Sequence, residues 1–536
     1  MDRRTFLSSL SLCITSALGT TLVNSCKRQE QTATTHITSS AHKLGHKLKT
    51  GNLPLPEREG ETYDTIVIGS GVAGLSAARY LRKQGIDNVA IIEVNHHIGG
   101  NASSGKRNTY RYPYGAHYLP IAELHNKELI EFLSEHNIIT GFENELPVYN
   151  ENDLCFAPQE RLYYRGKWRD GIASTIAKFS PAGYNKFVQL LHNYENLKND
   201  NGEYIFALPI CNGYTNDISL ELDGISFADF LKNNLITEDE VIWYADYCCR
   251  DEYGMGIESI SAFAGIQYFV ARRAKSANAP EGTNLTWPNG NGHLIDILRT
   301  DVTQNLICDT LAYNIEIHNA KVKVAVTNDS NNSKILHARQ CIIATPQFIT
   351  TRLLSTIQPE RTQWTQNFKY APWLVVTLIL NDTSGILSDV HWDNVLYGAN
   401  SLGYINDTQQ LLTTHNNKTV ITWYTTLHKQ APQEGRKQLL HSTTEEIVNQ
   451  VAQELESVHP GIISETEYVD AVLWGHGMIA PVVGFYANTH LEKLKAPIDN
   501  KIFFAHSDLS GLSLFEEAFY QGNRAAKELL QTRKHV

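Results

Sequence analysis

The chain has 536 residues, 42% hydrophobic and 10% aromatic, enough to bury a large core and, after a leader, to form about three domains at roughly 150 residues each. A formal net charge of −11 argues against nucleic acid as a partner, and a mean hydropathy of −0.29 with no apolar run of membrane length after the leader reads as a soluble body. The acidic balance is compatible with a cationic substrate. Setting aside Cys13 and Cys26, the other cysteines include adjacent Cys248 and Cys249 but no CxxC spacing, so no metal site is expected.

Asp2-Arg3-Arg4-Thr5-Phe6-Leu7 is a twin-arginine pattern, and Thr5 to Val23 is a charge-free apolar stretch, interrupted by Ser and Thr, too weakly hydrophobic for a membrane span. It reads as an export signal to the bacterial periplasm by the route that carries folded proteins. Val23-Asn24-Ser25-Cys26 is similar to a lipobox, although Asn24 is unusual there, so residues 1–26 are read as a signal with a candidate lipid anchor at Cys26. The alternative is an ordinary cysteine in a soluble leader. Any membrane contact would run through that lipid alone. Residues 27–60, rich in Thr, Ser, Lys and His and without an apolar period, read as a polar tether. His36, His42 and His46 within it are read as solvated side chains.

Tyr63 to Ile68 predicts a strand, Gly69-Ser70-Gly71-Val72-Ala73-Gly74 a turn into a helix, and Val89 to Glu93 a second strand. This is a βαβ dinucleotide-binding unit. Gly69 permits the tight turn and Gly71 lets the backbone approach a pyrophosphate. Val72 and Ala73 open the helix whose N-terminus receives that pyrophosphate, and Gly74 lets the helix pack against the strand. Glu93 lies 24 residues after Gly69, placed to accept hydrogen bonds from ribose hydroxyls and to repel a 2′-phosphate. The ligand is therefore FAD or NAD rather than NADP.

A helix-rich insertion is expected over about 126–280, with amphipathic stretches at Leu129 to Ile139 and Ser226 to Asn233. Trp287 to Leu294 turns the chain back toward the cofactor. Strands follow near Tyr313 to Ile317, Lys321 to Val326 and Gln340 to Pro346. A second sheet is expected from Trp373 to Leu380, Thr419 to Tyr424 and Tyr468 to Trp474. Ser513 and Glu516 form an S-x-x-E capping box, which predicts a terminal helix starting within a residue of Ser513.

Beyond the glycine unit, His97-Ile98-Gly99-Gly100-Asn101-Ala102-Ser103-Ser104 and Pro113-Tyr114-Gly115-Ala116-His117-Tyr118 resemble the flavin-dependent amine oxidoreductase superfamily. That superfamily includes monoamine and polyamine oxidases, protoporphyrinogen oxidase and phytoene desaturases. It carries a GG(R/N)xxS/T segment over the cofactor and a Gly-Ala-His/Asn stretch beside the flavin ring. The C-terminus matches as well: Ile502 to Asp508, then Ser513 to Ala518 through Arg524-Ala525-Ala526, corresponds to the family's closing FAGE…EGA…SGxxAA segment. The resemblance runs from about 60 to 536 and implies FAD. It assigns Gly99, Gly100, Asn101, Gly115, Ala116, His117, Asp508 and Ala518 to the cofactor site. The implied fold is α/β: a Rossmann-like FAD-binding domain (61–125, 281–351 and 475–536) interleaved with an α+β substrate domain (126–280 and 352–474). In the resembled family the terminal helix points its N-terminus at flavin N1 and the C2 carbonyl, where a helix end contributes about 0.3 to 1 kcal/mol to developing negative charge.

The substrate side departs from that family. Amine oxidases place a lysine on the strand facing flavin N5, but Trp373-Leu374-Val375-Val376-Thr377-Leu378 contains none, and Leu514 stands where one of two cage aromatics is usual. Trp474-Gly475-His476-Gly477-Met478 occupies the region that supplies the other cage residue. Trp474 and His476 are therefore the expected catalytic residues, His476 as base or orienting group. His391 reads more readily as a histidine satisfied by backbone carbonyls. Asp251-Glu252 and Glu516-Glu517 could hold an ammonium group, although such pairs are commonly surface or helix-start charges. The leading expectation is an FAD-dependent oxidoreductase that oxidises an amine or polyamine by hydride transfer to flavin N5, with oxygen, a quinone or a redox protein as electron acceptor. The alternatives are a desaturase or dehydrogenase of an apolar C–C or C–O substrate, and a non-catalytic flavin-binding lipoprotein.

Overall fold

The computed structural model describes residues 33–38, 42–51, 53–210, 216–302, 305–381, 383–411 and 418–534. Arg3, Arg4 and Cys26, on which the export and lipid-anchor readings rest, lie outside the described residues.

Two sheets organise the body. In the first, Glu59–Ile68 lies between Val89–Ile92 and Ser333–Ile343, parallel to both, and Leu306–Ile307 extends the Val89–Ile92 edge. Ile66, Val67, Ile68 and all of Val89–Ile92 are buried, the near-continuous apolar reading of a parallel sheet covered on both faces. Ser333–Ile343 also pairs antiparallel with Lys321–Thr327 and receives Ile502–Phe504 in parallel at its far end. The helix Val72–Lys83 packs against this sheet, and the terminal helix Phe515–Lys534 packs on that helix.

The second sheet is mixed and eight-stranded. Within it Lys369–Leu380 lies between Thr419–Thr426 and Thr466–Ala480, antiparallel to both. The expected α/β architecture is present, and the strands anticipated around Trp373, Thr419 and Tyr468 lie in this sheet. A register shift between Ala371 and Trp373 brings Trp373 opposite Trp474.

Two local expectations are corrected. The described part of residues 27–60 is not a featureless tether: Thr34–Thr38 is a strand running parallel to Thr466–Ala480, and His42–Thr50 is a helix. Leu44 and Leu48, one helical turn apart, are 2% and 8% exposed, so two apolar residues pin an otherwise polar helix. The terminal helix starts at Phe515, two residues after Ser513, and Glu516 lies 3.9 Å from Arg272.

Candidate functional site

A long cavity of about 640 Å³ opens along the C-terminal edge of the parallel sheet, where open α/β sheets bind their ligands. Of the sequence-predicted cofactor residues, Gly69, Gly71, Val72, Ala73, Glu93, Gly99, Gly100, Asn101, Ala116, Asp508 and Ala518 line it. Gly74 does not, because its task is packing: a Cβ there would lie 1.9 Å from the Gly69 carbonyl oxygen. At Gly71 the reverse holds. A Cβ would meet nothing within 4 Å, so protein packing does not call for glycine at that point, and the adjoining open cavity does.

The acidic groups of this cavity are held in place. Glu93 accepts hydrogen bonds from the Ser70 amide (2.9 Å), the Ser70 hydroxyl (2.7 Å) and the Asn95 amide (2.9 Å), which fixes its carboxylate at the end of its strand. Asp508 is 2% exposed and accepts from the Gln347 amide at 2.8 Å and the Tyr370 hydroxyl at 2.6 Å. Burial alone would raise its pKa, but the His506 charge and these donors outweigh that and hold it below the ordinary carboxylate range. Volume, glycine edge, clamped acid at the strand end and buried Asp508 together fit a dinucleotide cofactor.

A smaller recess of about 130 Å³ adjoins the cavity. The two share Asn101, Ala116, Trp474, Leu514 and Phe515. Trp474 stands at the junction, its indole N–H donating to the Tyr114 carbonyl at 2.6 Å. Trp373 and Tyr424, on neighbouring strands, present rings inclined by only 13° with centroids 6.4 Å apart. Gly115 and His117 belong to this recess rather than to the long cavity. His117 bonds the Gly115 carbonyl at 3.1 Å, and burial pushes its pKa down to about 4, so it is a neutral wall.

The charged floor of the recess comes from the last turn of the helix Asp239–Tyr253 and the first turn of Phe515–Lys534. Glu252 is paired with Arg272 at 2.6 Å, and Glu516 lies 3.9 Å from the same guanidinium. Asp251 has no such salt bridge among the described residues. Burial and then the neighbouring Glu252 charge push its carboxyl up to about 7, against the opposing Arg272, Arg250 and the Tyr424 hydroxyl. One carboxyl poised near neutrality thus shares the recess lining with aromatic rings and with two carboxylates that share one arginine.

His476, expected as a base or orienting group, lies on the strand Thr466–Ala480. Its ring stacks on Phe348 (4.3 Å, 25°) and lines the long cavity, but it is absent from the recess. Its surroundings, then the Arg436 charge, lower its pKa and keep it neutral. The recess carboxyl whose pKa is pushed up to about 7 is Asp251. His391 is buried with Nδ1 at 3.0 Å from the Glu160 carbonyl, the commonplace role. Sequence reasoning missed Trp373, Tyr424 and Arg272. The available signal was the alternation on two strands, since Trp373 with Val375 and Thr422 with Tyr424 are the i, i+2 pairs that face the recess.

The sequence profile described as flavin containing amine oxidoreductase matches residues 72–530. Among solved structures, wild-type putrescine oxidase bound to putrescine is similar at 14% identity, covering 88% of this chain and 99% of its own, with a TM-score of 0.64. Cyclohexylamine oxidase from Brevibacterium oxydans gives 13% identity over 88% and 99%, with a TM-score of 0.64. A fatty acid isomerase from P. acnes gives 15% identity over the same shares, with a TM-score of 0.62. At these identities the likeness is one of fold. The match over most of its length, on a chain whose glycine edge, clamped Glu93 and buried Asp508 already describe a dinucleotide cavity, shows that this protein belongs to the flavin-containing amine oxidoreductase family and is a flavin-dependent oxidoreductase.

Proposed function

We propose that the protein binds FAD and oxidises a primary or secondary amine, with a polyamine favoured, at the C–H bond next to nitrogen. The observation that carries this reading is the recess: Asp251, without a salt bridge among the described residues, shares the recess lining with Trp373, Tyr424 and Trp474, and Trp474 also lines the cofactor cavity. Glu252 and Glu516 share Arg272, so the lining carries an excess of negative charge. An alkylammonium ion satisfies both the carboxyl and the rings. Cation–π contact contributes about 0.5 to 2 kcal/mol in a desolvated site.

When bound, FAD supplies the two-electron acceptor. Gly71 and the opening turn of its helix would receive the pyrophosphate, Glu93 would hold the ribose, and Asp508 would accept from a hydroxyl of the cofactor. The protein's own groups prepare the amine. Trp373, Tyr424 and Trp474 displace water and hold the substrate chain. Asp251 takes a proton from the ammonium, because only the neutral nitrogen has a lone pair to stabilise the iminium left when the α-carbon gives up hydride. Water then hydrolyses the imine to a carbonyl compound, releasing ammonia from a primary amine or the shorter amine from a secondary one. The absence of lysine among the described residues lining the recess leaves Asp251 as the ionisable group suited to this task.

Anaerobic mixing with a substrate panel tests the reading. Putrescine or longer polyamines should bleach the flavin absorbance, and an aliphatic monoamine should do so more slowly. Bleaching by an apolar alkene or alcohol substrate with none by any amine would transfer the assignment to the desaturase or dehydrogenase class, which the isomerase-like fold also accommodates. Reoxidation by oxygen against a soluble quinone then identifies the acceptor. We further propose export by the twin-arginine route: replacing Arg3 and Arg4 together with Lys should retain folded protein in the cytoplasm, and Cys26→Ala should move it from the membrane to the soluble periplasmic fraction.

A further inference from the structure

The segment ahead of the first Rossmann strand lies where a cofactor would have to pass. Ile37, Gly45, His46 and Leu48 line the long cavity together with Gly69, Gly71 and Glu93. The segment also reaches from one sheet to the other. At one end, Thr34–Thr38 adds a parallel edge strand to Thr466–Ala480, registering Thr35 with Val469 and Ile37 with Ala471. At the other, the Tyr313 hydroxyl donates to the Pro54 carbonyl at 2.8 Å and the Ser333 hydroxyl to the Leu55 carbonyl at 2.6 Å, on strands of the parallel sheet. Between these anchors the helix His42–Thr50 contributes Gly45, His46 and Leu48 to the cavity lining, with Leu44 and Leu48 also in the main core.

The edge strand is tied by more than its ladder. Asp470 is 2% exposed and accepts from the Thr38 hydroxyl at 2.8 Å, with His36 Nδ1 at 3.2 Å. Without the strand, this buried carboxylate would be left with the Tyr112 and Tyr114 hydroxyls, at 2.8 and 3.5 Å.

We propose that residues 33–38 and 42–51 form a strap along one wall of the cofactor site, which must lift for the dinucleotide to load or leave. The strap therefore sets how long the flavin stays bound, while the glycine turn and Glu93 set where it binds. This rests on the FAD reading above.

The test links the strap to its neighbour strand by a removable bond. In the holoprotein carrying Thr35→Cys and Val469→Cys, FAD release into a scavenging flavin-free apoprotein is followed by flavin fluorescence, with the cross-link oxidised and then reduced. Oxidation should slow release at least about tenfold, and should slow uptake by the apoprotein to a similar extent. Equal rates in the two redox states overturn the proposal, and folding is not in question because the same molecule is compared with itself. A second variant, Leu44→Lys with Leu48→Lys, unpins the helix and should speed release by about tenfold or more; release at the wild-type rate from a variant whose strap has become protease-sensitive overturns it. Wild-type protein that takes up no FAD at all overturns the underlying cofactor reading, and the strap proposal falls with it.

Discussion

The two cavities are built by opposite means. The long cavity takes its glycine edge from short contiguous runs, Gly71 to Ala73 and Gly99 to Asn101, whose geometry follows from local turn and helix rules. The recess is largely side chain, assembled from a helix end at Asp251, strand residues at Trp373, Tyr424 and Trp474, and a second helix start at Glu516. Cofactor binding is thus written in consecutive residues and tolerates little change. Substrate choice is written in register and can drift while the scaffold persists.

The largest effect should come from breaking the backbone side of this contrast. Gly74→Val places side-chain atoms where a Cβ already stands 1.9 Å from the Gly69 oxygen, and should yield protein with no bound flavin and a markedly lowered Tm. Normal flavin content after acid release would show that the turn can move, contrary to the packing described. Next in size is a side-chain change on the other face: Asp251→Asn should keep FAD yet slow flavin reduction by about 10²- to 10³-fold near pH 7. In the wild type, reduction should rise with pH through about 7 as Asp251 ionises, and in the variant that limb should vanish. Retention of the limb would assign it to another group.

Smaller effects sharpen the contrast. Trp373→Leu or Tyr424→Leu should weaken substrate binding by about 2- to 30-fold, the range that corresponds to about 0.5 to 2 kcal/mol of lost cation–π contact, with flavin content unchanged. A titration of anaerobic bleaching against amine concentration reads this directly. His476→Ala should alter FAD affinity more than the reduction rate at saturating FAD, since its ring stacks on Phe348 in the long cavity; a drop of 10²-fold or more in reduction with flavin fully bound would return it to the chemistry. The smallest expected effect is thermodynamic. Asp251 has its folded pKa raised to about 7, so its burial costs nothing below about pH 4, where it is protonated in both states, and its full cost is present above about pH 7. Asp251→Asn should therefore raise the Tm of the FAD-free protein by a few degrees at pH 8 and leave it unchanged at pH 4. An equal shift at both values would point to altered packing instead.

This division also explains what the sequence made legible. Gly69, Gly71, Gly74 and Glu93 announce themselves because turn, pyrophosphate approach and ribose contact all fall within one βαβ unit. Asp251 reads as one of many acidic pairs until the fold carries it to the recess, where it has no salt bridge among the described residues. Trp373 reads as an ordinary strand residue until the register shift beside Ala371 sets it opposite Trp474. The terminal helix was legible as a helix but not in its first turn, because Glu516 lies against Arg272, more than two hundred residues away in the chain. The strap was hidden by composition: Thr-rich and Lys-rich stretches look solvated, and only Ile37, Leu44 and Leu48 mark the face that docks.

Asp251 belongs to the closing turn of the helix Asp239–Tyr253, which stops at Gly254 in the left-handed region (φ 74°), whereas Glu516 belongs to the opening turn of Phe515–Lys534. The recess is therefore spanned by two helix macrodipoles of opposite sense, a partial negative pole on one wall and a partial positive pole on the other. Each pole contributes about 0.3 to 1 kcal/mol to a nearby charge, and up to about 2 where water is excluded. A reaction that leaves positive charge on the first side and delivers negative charge to the second runs down this built-in potential, and the same potential would oppose the reverse transfer of an electron pair to a bound cation.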